Sequence, residues 1–274
     1  MITNFDNLKT VVCAAAMAGL LFGFTCLAPA DTARGEGRRP LVLEFPQDVS
    51  VGKLVIVPRD YDPEDKHLKG KFLADCRGKV SVPPGATLLL VANDLITERN
   101  KFFDKFPADA IDAIVLSNAI FSDEGMVHIG HLTGLRYLDL EGTEISDKGV
   151  ALLAPLVNLR YLNLSRTLMH GESLYKLAGL HKVVYLNLGC NELTSKAFAA
   201  LGKFDMPGLL QLDLSRSMIR DSDIPHLVHF TRVITLVLTD NRAITDRALP
   251  MLQPMKGLRG INARATSVTL KGLV

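Results

Sequence analysis

Broken before each Leu-x-x-Leu-x-Leu, the second half of the chain falls into units that share their apolar positions. The units begin at Ile111, Leu135, Leu159, Val183, Leu209, Val233 and Leu258, spaced 24, 24, 24, 26, 24 and 25 residues apart, and the last stops short. Within each, the alternating Leu-x-Leu predicts a strand with one inward face, and later apolar positions such as Val150, Leu153 and Leu156 recur at helical spacing. One strand and one helix per unit predict a solenoid, because a single unit cannot hide its own leucine face and must lean on its neighbours.

The pattern weakens upstream. Residues 85–95 carry a related Leu-x-Leu-x-x-Asn-x-Leu that starts 26 residues before Ile111, so 85–110 reads as a degenerate capping repeat. Its expected helix, Thr97 to Phe106, holds Phe102, Phe103 and Phe106, enough apolar surface to close the end of the stack. Before it, LVLEFP, GKLVIVP and GKVSVPPG predict a small β cap over residues 40–84, and 31–39 reads as a linker. The final unit ends without a polar cap, which predicts a bare strand edge there, open to fraying or self-association.

The seven consecutive units over residues 111–274 resemble the leucine-rich repeat family. The resemblance implies an α/β leucine-rich repeat solenoid, right-handed, with a curved parallel sheet inside and helices outside. The subtype is similar to the family's cysteine-containing class: Thr143-Glu144-Ile145-Ser146-Asp147-Lys148-Gly149 matches its helix start, and Ile244-Thr245-Asp246 matches with one inserted residue. The position of that cysteine is taken by Thr143, Thr167, Asn191, Ser217, Asn241 and Thr266, polar groups expected to bond backbone where each strand ends. Gly171 and Ser195 replace the helix-start Asp and leave two helix caps in question. The N-terminal segment resembles those of exported bacterial, planctomycete-like members.

Composition narrows the partners. With 31 Lys plus Arg against 29 Asp plus Glu, a net charge of +2 and 48% hydrophobic residues, the chain can bury a large core but lacks the basic excess of a nucleic-acid binder. Residues 11–27 are uncharged, follow Lys9 and precede Ala28-Pro29-Ala30, a pattern that predicts a signal peptide over 1–30. An uncleaved membrane anchor and a lipid-modified Cys26 are the alternatives, the last opposed by Phe24 in the expected lipoprotein box. Of the four cysteines, Cys13 and Cys26 fall in that stretch; nothing in the sequence pairs Cys76 with Cys190.

Outward strand positions on adjacent turns form columns about 4.8 Å apart. The first contains Tyr137, Tyr161, Tyr185 and Gln211; the second Asp139, Asn163, Asn187 and Asp213; the third Glu141, with Arg166 and Arg216 just beyond the same column. Tyr and Arg dominate binding hot spots, so these residues are the candidate concave-face site. The competing reading is that stacked tyrosines only stabilise the sheet and that the Asp and Asn column is a polar ladder. Two histidine pairs, His128 with His131 and His226 with His229, have helical spacing but lie four strands apart, too far to share a metal, and read as exposed helix faces. The acidic run Asp60 to Asp65 lacks the Gly and distal Glu of a calcium loop.

No nucleophile elbow, phosphate loop, His-Glu-x-x-His or Cys-x-x-Cys is present, so neither catalytic residues nor a cofactor or metal site is expected. The sequence thus predicts a non-catalytic, exported module that binds a protein through its concave sheet. Alternatives are an envelope component assembling through its C-terminal edge, or a substrate-selecting adaptor similar to F-box leucine-rich repeat proteins, although no F-box precedes the repeats.

Overall fold

The computed structural model describes residues 41–59, 61 and 70–273; the expected signal peptide, linker and most of the acidic run lie outside them. Twelve strands are described: β1 (Leu41–Glu44), β2 (Gly52–Val57), β3 (Lys71–Asp75), β4 (Lys79–Val82), β5 (Thr87–Ala92), β6 (Ala113–Val115), β7 (Tyr137–Asp139), β8 (Tyr161–Asn163), β9 (Tyr185–Asn187), β10 (Gln211–Asp213), β11 (Thr235–Val237) and β12 (Gly260–Asn262). From β5 to β12 each strand pairs in parallel with the next, and equivalent repeat positions face each other, as Leu138 faces Leu162 and Leu162 faces Leu186. The unit starts of the sequence are therefore the register of the sheet. The fold is an α/β leucine-rich repeat solenoid.

The inward leucines form one continuous core. Leu138, Leu162, Leu186, Leu212 and Leu236 are each fully buried, as are Leu140, Leu164, Leu188 and Leu214 in the next inward row. Burying such a side chain is worth about 1.5–3 kcal/mol, and because the burial is shared between turns it stabilises the stack, not the unit.

The outer layer is lean. Four short α-helices, α1 (Asp123–Ile129), α2 (Asp147–Ala151), α3 (Ser195–Leu201) and α4 (Ala248–Met251), share it with 3-10 turns at Leu174–Gly179, Asp221–His226 and Leu270–Leu273. Pro225 sits inside the second of these turns, where its missing N–H rules out a regular helical bond. The helix expected over Thr97 to Phe106 is instead two 3-10 turns, Asp94–Ile96 and Asn100–Lys105. Its phenylalanines pack against the residue that follows β1: the ring of Phe45 lies 5.2 Å from that of Phe102 and 5.4 Å from that of Phe106.

The N-terminal strands split between two sheets. β1 and β4 form a separate antiparallel pair, while β2 extends the main sheet antiparallel to β5 and β3 adds antiparallel to β2 at its edge. Gly52 makes that junction: its φ is +150°, and a Cβ there would lie 2.2 Å from the Val91 carbonyl oxygen.

Two polar systems tie turn to turn. In the first, Asn191 donates from Nδ2 to the carbonyls of Leu164 (2.8 Å) and Leu188 (3.0 Å), while its Oδ1 accepts from the Thr167 amide at 2.9 Å. Asn241 repeats this with Leu214, Leu238 and Ser217, and Thr143, Ser217 and Thr266 each donate to the carbonyl three residues back. The expected strand-end role of this row is thus its geometry. In the second, a helix-start Asp caps the following turn. Asp123 accepts from the amides of Ser146 and Gly149, Asp147 from those of His170 and Ser173, Asp221 from Thr245, and Asp246 from Thr269. The loss of Asp at 171 and 195 is consequently felt one turn later, and local groups replace it: Thr194 Oγ1 accepts from the Ala197 amide, and the Arg220 amide donates to Asp223 Oδ2.

Candidate functional site

The zero stagger of the strands stacks the first outward column into a run of rings. Tyr137 and Tyr161 lie 4.2 Å apart between centroids at 21°, and Tyr161 and Tyr185 lie 4.2 Å apart at 3°. The column is not uniformly open. Tyr137 is only 6% exposed, packed with Val57, Leu89 and Ala113, and Tyr61 meets it edge-on at 6.3 Å. Burial, reinforced by the neighbouring Asp139, pushes the Tyr137 hydroxyl above the ordinary phenol range. Tyr137, expected to touch a partner, is instead part of a small apolar cluster where the N-terminal strands meet the repeats. Tyr161, Tyr185 and Gln211 are partly exposed and continue the face beyond it.

The second column is mainly a strand-ending device. Oδ1 of Asp139, Asn163, Asn187 and Asp213 accepts from the amide two residues on, that of Glu141, Ser165, Gly189 and Ser215, at 2.8–3.0 Å. Asn163 is buried and also accepts from the Ser165 hydroxyl. Its place on the expected contact list is therefore corrected, since its oxygen is committed to the backbone. Asp139 performs the same bond as a charged group, and burial raises its carboxyl above the usual range despite the Glu141 amide.

Beyond the third column, every turn contains a residue with left-handed backbone: Asn118, Gly142, Arg166, Cys190, Arg216, Asp240 and Ala265, with φ between 48° and 66°. The reason is the ladder. At this position the amide still donates across the stack, from Arg166 to the Gly189 carbonyl and from Arg216 to that of Thr239, while the chain already turns toward the helices. Only one of the seven is glycine, so the other six hold a conformation disfavoured for side chains because the turn requires it.

Four of the seven, Arg166, Cys190, Arg216 and Asp240, rim a groove of about 870 Å³ at the ends of the middle strands. Arg166, Arg216, Arg220 and Arg242 line it against Glu192 and Asp240, with Cys190 and Met218 between them. Arg216 Nε lies 3.0 Å from Asp240 Oδ2. The structure thus brings two predicted residues, Arg166 and Arg216, into one cavity with Arg220, Arg242, Glu192 and Asp240, which sequence reasoning did not single out. Glu141 stays on the sheet face, where Asn163 Nδ2 lies 3.3 Å from its Oε2. The third column also contains Thr239 Oγ1, the single buried side-chain polar atom without a hydrogen-bond partner among the described residues.

The histidines are not plain helix faces. His131 and His229 place Nε2 3.1 and 3.0 Å from the carbonyls of Phe106 and Phe204 on the preceding turns, and His128 Nδ1 lies 2.8 Å from Asp104 Oδ1. Among the described residues no three His, Cys, Asp or Glu converge as metal ligands. Cys76 and Cys190 are both free; Cys76 is buried, which pushes its thiol up to about 12, whereas Cys190 is exposed. No helix among the described residues is long and apolar enough to cross a membrane.

The leucine-rich repeat family matches residues 131–154, the length of one turn. The chain is similar to two solved structures from Listeria monocytogenes. One, an internalin, is 20% identical with a TM-score of 0.43, over 62% of this chain and 51% of the other. The second, internalin C2, is 21% identical with a TM-score of 0.49, over 69% of this chain and 85% of the other. The chain thus spans about half the length of the first. No curated protein matches the chain.

Proposed function

We propose that this chain is a non-catalytic protein-interaction module of an exported protein, binding its partner through the open part of the concave sheet from β8 to β11. The observation that carries this reading is the polar face itself. Tyr161, Tyr185, Gln211 and Thr235 form a partly exposed column on register-matched parallel strands, flanked by Asp213 and Glu141. A face held this rigidly loses little freedom on binding, so many modest contacts add up to useful affinity. Tyr supplies wide, stiff contact area with a polar tip. Export rests on the uncharged run at 11–27 and the small residues that follow it.

A photo-crosslinking side chain placed at Tyr185 and, separately, at Tyr175 on the helical side tests this in the source's own envelope fraction. Cross-linking from Tyr185 to one defined protein, absent from Tyr175, is the expected result. Equal labelling from both positions, or from Tyr175 alone, refutes the concave-face reading.

A further inference from the structure

The groove beside the sheet has a chemistry the sheet lacks. Its arginines come from three of four consecutive loops: Arg166 follows β8, Arg216 and Arg220 follow β10, and Arg242 follows β11, while the loop after β9 supplies Cys190 and Glu192. Only Arg216 is engaged, with Asp240; the side chains of Arg166, Arg220 and Arg242 have no ion-pair partner among the described residues, and all three are exposed. A guanidinium is a planar fork that binds a carboxylate through two parallel hydrogen bonds, and four of them facing two carboxylates leave the cavity with an excess of positive charge. The chain as a whole is nearly neutral, at +2, so this excess is local.

We infer that this groove receives an extended acidic segment of the protein partner, its carboxylates seated between Arg166, Arg216, Arg220 and Arg242. The inference rests on the protein-binding reading and names the chemistry of what is bound. Spacing supports it. Arg166 and Arg216 occupy the same left-handed position two strands apart, about 9–10 Å at the usual strand separation, close to the span of three residues in an extended peptide. Exposed Met218 gives the apolar contact that a peptide stem needs. Nucleic acid fits less well, because no aromatic ring lines the groove to stack a base.

Cys190 makes the groove readable. It sits on the rim between Arg166 and Arg216, and it is exposed while Cys76 is buried. The full chain is titrated with a short fluorescent polyglutamate peptide, with polylysine, a single-stranded oligonucleotide and tripolyphosphate as parallel probes. Iodoacetamide alkylation of Cys190 is followed by peptide mass spectrometry. Polyglutamate is expected to bind and to slow Cys190 alkylation, and added salt to weaken both. The double variant Arg166→Glu with Arg242→Glu is expected to bind about tenfold more weakly at an unchanged melting temperature, since each reversal replaces a modest attraction by a repulsion. Unchanged affinity in that variant, or tighter binding of the oligonucleotide or tripolyphosphate than of polyglutamate, overturns the inference. Because the readout is local to Cys190, its failure together with cross-linking from Tyr185 removes the groove and leaves the sheet-binding reading intact.

Discussion

Replacing Asn191 by Ala tests the polar row that links one turn to the next. The side chain is 2% exposed and bonds three backbone groups, of which the Thr167 amide and the Leu188 carbonyl would lose their partner. The Leu164 carbonyl is spared, because the Thr167 hydroxyl also donates to it at 3.1 Å. Two buried groups left without partners, at about 1–3 kcal/mol each, put the loss at roughly 2–6 kcal/mol. In a domain of this size that corresponds to a melting temperature lower by roughly 5–20 °C. The damage should be local, centred on the contact between the turns of β8 and β9. Thermal and urea unfolding followed by circular dichroism measure it, with Lys196→Ala, on the exposed side of α3, as a control expected within about 0.5 kcal/mol of the parent. Asn191→Thr, which restores the side chain used at Thr143 and Thr167, should recover part of the loss. If Asn191→Ala costs no more than the control, the row is ornamental and the argument about it is wrong.

Other consequences follow from the same geometry. Asp139→Asn keeps the bond to the Glu141 amide, as Asn163 and Asn187 already do for their own turns, and removes a half-buried carboxylate. It should leave stability unchanged or raise it, and a clear fall in the unfolding midpoint would count against the strand-ending role. Gly171→Ala places a Cβ at φ +85° within 2.3 Å of the Ala197 Cβ, so it should destabilise by about 1–3 kcal/mol on denaturant titration, whereas Gly179→Ala, whose Cβ meets nothing within 4 Å, should not. Asp246 has its carboxyl held below the usual carboxylate range by the Thr269 amide and hydroxyl. That contribution is present above the unfolded pKa and lost as pH falls through the folded one, so protection of residues 267–272, taken relative to the intrinsic exchange rate at each pH, should fall only once the pH drops below the usual carboxylate range; protection already lost at neutral pH contradicts the assignment.

The sheet was legible because its cause repeats: each Leu-x-Leu fixes an inward face, and 24 to 26 residues later the same face returns to cover it. The polar row at Thr143, Thr167 and Asn191 was legible for the same reason. Less of the site was. Tyr137 is covered by Tyr61 from far upstream, a contact no period encodes. The left-handed column escaped notice because Arg166, Cys190, Arg216 and Asp240 show no glycine signal, their backbone being set by the turn and not by the residue. Arg220 and Arg242 occupy different places in their units and join Arg166 only through folding. The helix-start Asp was read as acting on its own helix, whereas its bonds reach one turn forward.

Hydrogen exchange of the whole chain, alone and with the protein cross-linked from Tyr185, tests the binding surface most directly. The account predicts slowed exchange over residues 161–166, 185–190 and 211–216, with Leu174–Gly179 and Ser195–Leu201 on the opposite side unchanged. Protection confined to those outer elements, with the strands and their rim unaltered, would contradict it.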